Sequence, residues 1–113
     1  MAIYANIPID QGSDFSTVVT VTGANGLIFN LAGYLVRGQI RKTYTSLTAV
    51  VFAAAVKSAV AGEISLSLTA VQTGAMKSGR YLYDVEIVNV VTSVVSRVVE
   101  GQIEINPRIT QPA

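Results

Sequence analysis

The stretch "GRYLYDV", residues 79–85, decides how this chain is read. Large and polar side chains alternate with the period of two of a half-buried strand. Tyr81 and Tyr83 fall on one face with Val85 and Ile87, while Asp84 and Glu86 fall on the other. The pair of tyrosines after Gly79 serves one of two purposes. It is an exposed aromatic platform for bases or sugars, or it locks an all-β architecture. A platform needs the rings on a solvent face with basic neighbours. Sharing a face with Val85 and Ile87 favours the architectural role.

Strand signals extend outward on both sides. "AIYANIPI" puts Ile3, Ala5, Ile7 and Ile9 on one face, and Pro8, which lacks an amide donor, sends this strand to an edge or ends it. "DQGSD" is a turn. "FSTVVTVT" turns Phe15, Val19 and Val21 inward, and "GANG" carries an Asn-Gly hairpin signal in which Gly26 accepts positive φ. "LIFNL" is then expected as the return strand. "YLVRGQIR" faces Tyr34, Val36 and Ile40 inward and Arg37, Gln39 and Arg41 outward; Gly38, on the inner side, leaves room for a large neighbour or a bulge. "TAVVFAAAV" mixes helix-favouring alanines with Val50, Val51, Phe52 and Val56, and its β surroundings favour a strand. "EISLSL" turns Ile64, Leu66 and Leu68 inward. "TAVQTGAMKSG" is a local helical signal of one or two turns, with Thr69 as cap and Val71 and Met76 packing down. "RYLYDVEIV" and "VVSRVVEGQIEI", joined near "NVVTS", form a last hairpin with valine on both faces, a pattern that implies contact on both sides. The expectation is a single domain over residues 1–113: an antiparallel β-sandwich of seven to eight strands with a short helical turn before the penultimate one.

Composition bounds the function. Histidine, cysteine and tryptophan are absent, which removes the commonest general base, the thiol nucleophile and the usual zinc ligands. No metal or cofactor is expected, and an enzyme is a distant reading. Charged residues are 13% of the chain, about half the usual share for soluble domains. A net charge of +1 does not advertise a nucleic-acid partner. The longest apolar run, "AVVFAAAV", falls far short of the roughly 20 residues of a membrane helix, and "MAIYANIPID" lacks the features of a signal peptide. So apolar and weakly charged a chain is expected to bury surface against other subunits, its own copies included.

The corner before "GRYLYDV" adds a topology. In immunoglobulin-like sandwiches a tyrosine near the start of the penultimate strand hydrogen-bonds back across the corner feeding it, and the residue two further on points into the core. "MKSGRYLYDV" supplies the turn, Gly79, Tyr81 at the corner and Tyr83 at the core position. In order along the chain, "IPIDQGSDF", "NLAGYLVRGQIRK", "GEISLSLTAVQTGAMKSGRYLYDVEI" and "VVEGQIEINPRIT" resemble small immunoglobulin-like virion proteins of tailed bacteriophages, and more distantly the N-terminal domain of siphophage upper baseplate proteins. The resemblance covers most of the chain. It implies a structural role in the virion, with no catalytic residues to carry over. The baseplate relatives use this domain as an anchor and carry receptor-binding regions elsewhere. No such region follows here, which favours head decoration, cement or an adaptor over a baseplate or fibre attachment. A carbohydrate- or host-surface-binding module is the alternative from another class.

Candidate sites follow. Asp84 and Glu86 share the outer face and are expected to form cross-strand ion pairs with Arg37 and Arg41, which lie about 13 Å apart along their strand, rather than an acid–base pair. Glu100 and Glu104 are expected on the same sheet face, where they would cancel the field of a basic patch. The uncharged stretch around Val51 and Phe52 is either a core strand or a subunit interface. The ends "MAIYAN" and "NPRITQPA" are poor folding elements. A partner is expected to order them, which makes Ile3, Tyr4, Arg108 and Ile109 candidate interface residues, with packing on the chain's own sandwich as the alternative.

Overall fold

The computed structural model describes residues 3–23, 26–43, 45–46 and 49–109. Among the described residues, nine strands and one short helix follow in order: Ile3–Tyr4 (β1), Ile7–Asp10 (β2), Phe15–Thr20 (β3), Tyr34–Arg41 (β4), Val50–Val51 (β5), Ala53–Ser58 (β6), Glu63–Leu68 (β7), Ala70–Ala75 (α1), Gly79–Asn89 (β8) and Val95–Asn106 (β9). One sheet has the order β1-β9-β8-β4-β5, with β2 also on β9, and the other is β3-β7-β6. Apart from the N-terminal strands, which pair with β9 rather than β3, this division of strands is that of an immunoglobulin-like sandwich.

The pairing is not antiparallel throughout. β1 and β2 run parallel to β9, with Ile3 opposite Val99 and Ile7 through Asp10 opposite Ile103 through Asn106. Pro8 therefore sits on an edge strand, where its missing N–H leaves no ladder bond unmade. The single N-terminal strand expected from "AIYANIPI" is broken at Ala5 and Asn6. There the chain crosses Gly101 so closely that a Cβ on Gly101 would lie 2.0 Å from the Ala5 carbonyl oxygen. Three hydrogen bonds hold the crossing: Ala5 N to Glu100 O at 2.8 Å, Gln102 N to Asn6 Oδ1 at 3.1 Å, and the Tyr83 hydroxyl to Ala5 O at 2.6 Å.

The core lies between the sheets. Ile64, Leu66 and Leu68 of β7 face Tyr83, Val85 and Ile87 of β8 and Ile103 and Ile105 of β9. The Phe52 ring enters from the link between β5 and β6 and meets Tyr83 edge-to-face, with ring centroids 6.1 Å apart. Gly38 makes room for it: a Cβ there would lie 3.1 Å from the Phe52 ring.

Local departures from the sequence reading have local causes. "LIFNL" forms only an isolated bridge, Thr22 to Ile28, and not a strand. Gly26, at φ 78°, donates its N–H to Gly23 O to tighten this turn, whose Ala24 and Asn25 lie outside the described residues. In α1, Thr69 and Gln72 form a reciprocal capping box. Val71, expected to pack down, is 82% exposed. Within the helix the buried position is Thr73 instead, whose hydroxyl donates to Ser13 O at 2.8 Å and accepts from Gly12 N at 3.0 Å, while Met76 at the C-cap packs into the core as expected, so polar bonds and one apolar anchor together dock the helix.

Candidate functional site

The outer face of the six-stranded sheet is built in rows fixed by register. Leu35, Val88 and Val95 lie side by side, then Arg37, Glu86 and Arg97, then Gln39, Asp84 and Glu100, then Arg41, Leu82 and Gln102. A β-bulge makes this possible. The β8–β9 register shifts between Val85 and Glu86, so Val98 and Val99 are both buried and Arg97 and Glu100 come to the same face. Without the extra residue, positions three apart on a strand would point to opposite faces.

The polar rows line a concave groove of about 590 Å³, bordered by Tyr4. Arg37 Nε lies 3.0 Å from Glu86 Oε1, Arg97 Nε 3.3 Å from Asp84 Oδ2, and Arg97 Nη1 3.6 Å from Glu100 Oε2. Arg41, expected to pair across strands, makes no ion pair among the described residues; its guanidinium donates to Ser46 O at 2.6 Å and to Gln39 Oε1 at 2.9 Å. Partial burial raises the Asp84 carboxyl above its ordinary range, with Arg97 opposing and Glu86 and Glu100 adding to the rise. The groove thus offers interleaved donors and acceptors of both signs. Glu104 lies across from Arg80, beside a smaller hollow. Among the described residues, no cluster of three or more metal-ligating side chains occurs, and no helix is long and apolar enough to cross a membrane.

The apolar row belongs to a second surface. Leu35, Val88 and Val95 continue into the turn that carries Val90, Val91 and Val94, where Leu35 is 63% and Val91 88% exposed. The turn is held by the Asn89 side chain and by backbone bonds: Asn89 Oδ1 accepts from Val91 N and Thr92 N at 2.9 and 3.0 Å, Ser93 N donates to Asn89 O at 2.8 Å, and Val90 N donates to Gly33 O at 3.0 Å. Leu31 N bonds Ala59 O, which draws the loops bearing exposed Ile28 and Val60 to the same end. An apolar surface displayed on a hydrogen-bonded turn has the character of a contact site.

The residues singled out from sequence divide between these places. Arg37, Arg41 and Tyr4 meet at the groove with Asp84 and Glu86. Val51 is exposed on the edge beside Gln39. Phe52 is 3% exposed. This corrects its reading as an interface residue: Gly38 opens a core slot that the ring fills, so no partner can reach it in the folded chain. Ile3 pairs through its backbone with Val99. Arg108 lies over Gly12 and donates its N–H to Gln11 Oε1 at 3.3 Å, so the chain's own sandwich holds this segment, while Ile109 projects into solvent. The Tyr81 hydroxyl donates to Lys77 O at 2.9 Å across the corner, with Lys42 Nζ 4.7 Å from its ring, and Gly79 stands at φ 131°. Tyr83 is buried, and burial, with Tyr4 nearby, pushes its hydroxyl up to about 12. The apolar end, with Leu35 and Val91 at its centre, was signalled in sequence only by the two-sided valine pattern of the last hairpin.

Fold and surfaces together define an all-β, immunoglobulin-like sandwich domain. No family model and no curated protein matches the chain. Among solved structures it is similar to InlP of Listeria monocytogenes, at a TM-score of 0.50 and 15% identity over 93% of this chain. The chain spans 28% of that protein. At this identity the likeness speaks for the fold alone.

Proposed function

We propose that this chain is a non-enzymatic structural protein of a tailed-bacteriophage virion, a head decoration, cement or adaptor protein that binds neighbouring virion proteins. The observation that carries the reading is the apolar end, where a hydrogen-bonded turn holds Val90, Val91 and Val94 in solvent beside Leu35 and Val95. Burying such side chains yields about 25 cal/mol per Å² of apolar surface, a driving force for docking that the mixed-sign groove lacks. The sequence resemblance to small immunoglobulin-like virion proteins supplies the context. Val91→Asp, at a site with almost no intramolecular packing, tests it: the variant folds with unchanged circular dichroism and is lost from purified particles. Normal incorporation would remove the apolar end from the account. A baseplate or fibre-attachment position is the runner-up location.

A second reading, as a carbohydrate- or host-surface-binding module, is favoured by one observation, the polar groove bordered by exposed Tyr4. Saturable binding of a glycan that Tyr4→Ala abolishes and Val91→Asp leaves intact would support it over the first.

A further inference from the structure

The sandwich has several strand edges, and they are not treated alike. β1 and β2 share one edge of the larger sheet; β1 is two residues long, and β2 carries Pro8 and Asp10. β5, at the other edge, is two residues long. β6, at one edge of the smaller sheet, carries Lys57 and a register irregularity between Val56 and Ser58. Proline, short length, charge and bulges are the devices by which natural sheets prevent edge-to-edge pairing. The remaining edge, β3, has none of them. "FSTVVT" is six residues long, free of charge, proline and glycine, and pairs with β7 in unbroken register from Phe15–Leu68 to Thr20–Glu63. In many immunoglobulin-like sandwiches the first strand would lie beside this one. Here β1 and β2 both went to β9, so among the described residues β3 has a single strand neighbour. Val18, in the middle of its outer face, is 41% exposed.

We propose that β3 is a homodimer interface, pairing antiparallel with β3 of a second copy about a two-fold axis through Val18. The sequence is self-complementary in that register. Val18 stands opposite Val18, Ser16 opposite Thr20 and Thr17 opposite Val19, with like faces together and no charge brought near another. The two three-stranded sheets become one of six strands. Because the pairing is antiparallel, the apolar ends of the two copies point in opposite directions along the joined sheet. The dimer is then a two-ended connector, independent of which protein each end meets.

The test uses the full chain. Light scattering and sedimentation equilibrium across a concentration series should give about twice the chain mass of 11.9 kDa. Val18→Lys sets two like charges on the axis and should weaken dimerisation at least tenfold with the circular dichroism unchanged. Val18→Asp should do the same. Mixing the two variants should restore a dimer, which only a residue facing its own copy can do. In the unmodified chain, those amides of β3 that point away from β7 should be protected from hydrogen exchange. A wild-type monomer, as expected if the edge instead takes a strand of a different protein, overturns the proposal. So does a dimer that Val18→Lys and Val18→Asp leave intact, or rapid exchange at all outward-pointing β3 amides.

Discussion

Gly101→Ala is the smallest change that should disturb this fold most. The added methyl carbon would stand 2.0 Å from the Ala5 carbonyl oxygen and 2.7 Å from its carbon, both backbone atoms with no rotamer to escape into. An ordinary carbon–oxygen contact needs more than a further 1 Å, so Ala5 must move away from β9. Three hydrogen bonds depend on its present position: Ala5 N to Glu100 O, Tyr83 Oη to Ala5 O, and Gln102 N to Asn6 Oδ1. At about 1 kcal/mol net for each, the loss is about 2–4 kcal/mol, in line with other overpacked sites. In urea that corresponds to a midpoint lower by about 1–2 M. The same bonds make a second, sharper forecast. Tyr83→Phe should cost about 0.5–1.5 kcal/mol in the wild-type background and close to nothing once Gly101→Ala has displaced Ala5. Gly101→Ala within about 0.5 kcal/mol of the parent, or two fully additive effects, would refute the crossing as a structural constraint.

Four further outcomes are expected. Tyr83 titrates near 12 when folded against a normal value of 10.0, so folding favours the neutral hydroxyl; its stabilisation is complete below pH 10 and is lost as pH rises through about 12, up to about 2–3 kcal/mol, and Tyr83→Phe should lack that alkaline decline in denaturation curves. Tyr81→Phe removes the bond to Lys77 O and should lower stability by about 0.5–1.5 kcal/mol in chemical denaturation, with no loss of secondary structure. Phe52→Asp places a charge in the core slot beside Gly38 and should unfold the isolated protein as seen by circular dichroism; a folded variant would move Phe52 back toward the surface. Arg97→Ala breaks two of the groove's three ion pairs, yet its partners are more than a third exposed, so the change in stability should stay under about 1 kcal/mol and shrink with added salt.

Much of the framework could be read from residue patterns because alternation is local. "EISLSL" became the central strand of the smaller sheet with Ile64, Leu66 and Leu68 buried, and the gap left by Gly38 is filled by a ring from the next segment. The parallel docking of β1 and β2 was hidden, since pairing partners about a hundred residues apart leave no short-range signature. The bulge in β9 left a trace that alternation alone misassigns: two consecutive valines, Val98 and Val99, between polar neighbours. Exposure of Val71 was equally unreadable, because a helix of six residues has too few positions for periodicity to choose its buried face. Of the candidate surfaces, the groove was visible in part through Arg37, Arg41, Asp84 and Glu86. Arg97, which binds two of its carboxylates, joins them only through the bulge. The apolar end is assembled from three loops, and no single stretch of sequence contains it.

On the proposed function, the turn bearing Val90, Val91 and Val94 is where this chain docks on a neighbouring virion protein. Cryo-EM of the intact particle whose genome encodes the chain addresses it directly. The expected result is density for the sandwich at a repeating position, with that turn and Leu35 buried against a neighbouring protein. Absence of the chain from the particle, or its presence with residues 90–95 facing solvent, would contradict it.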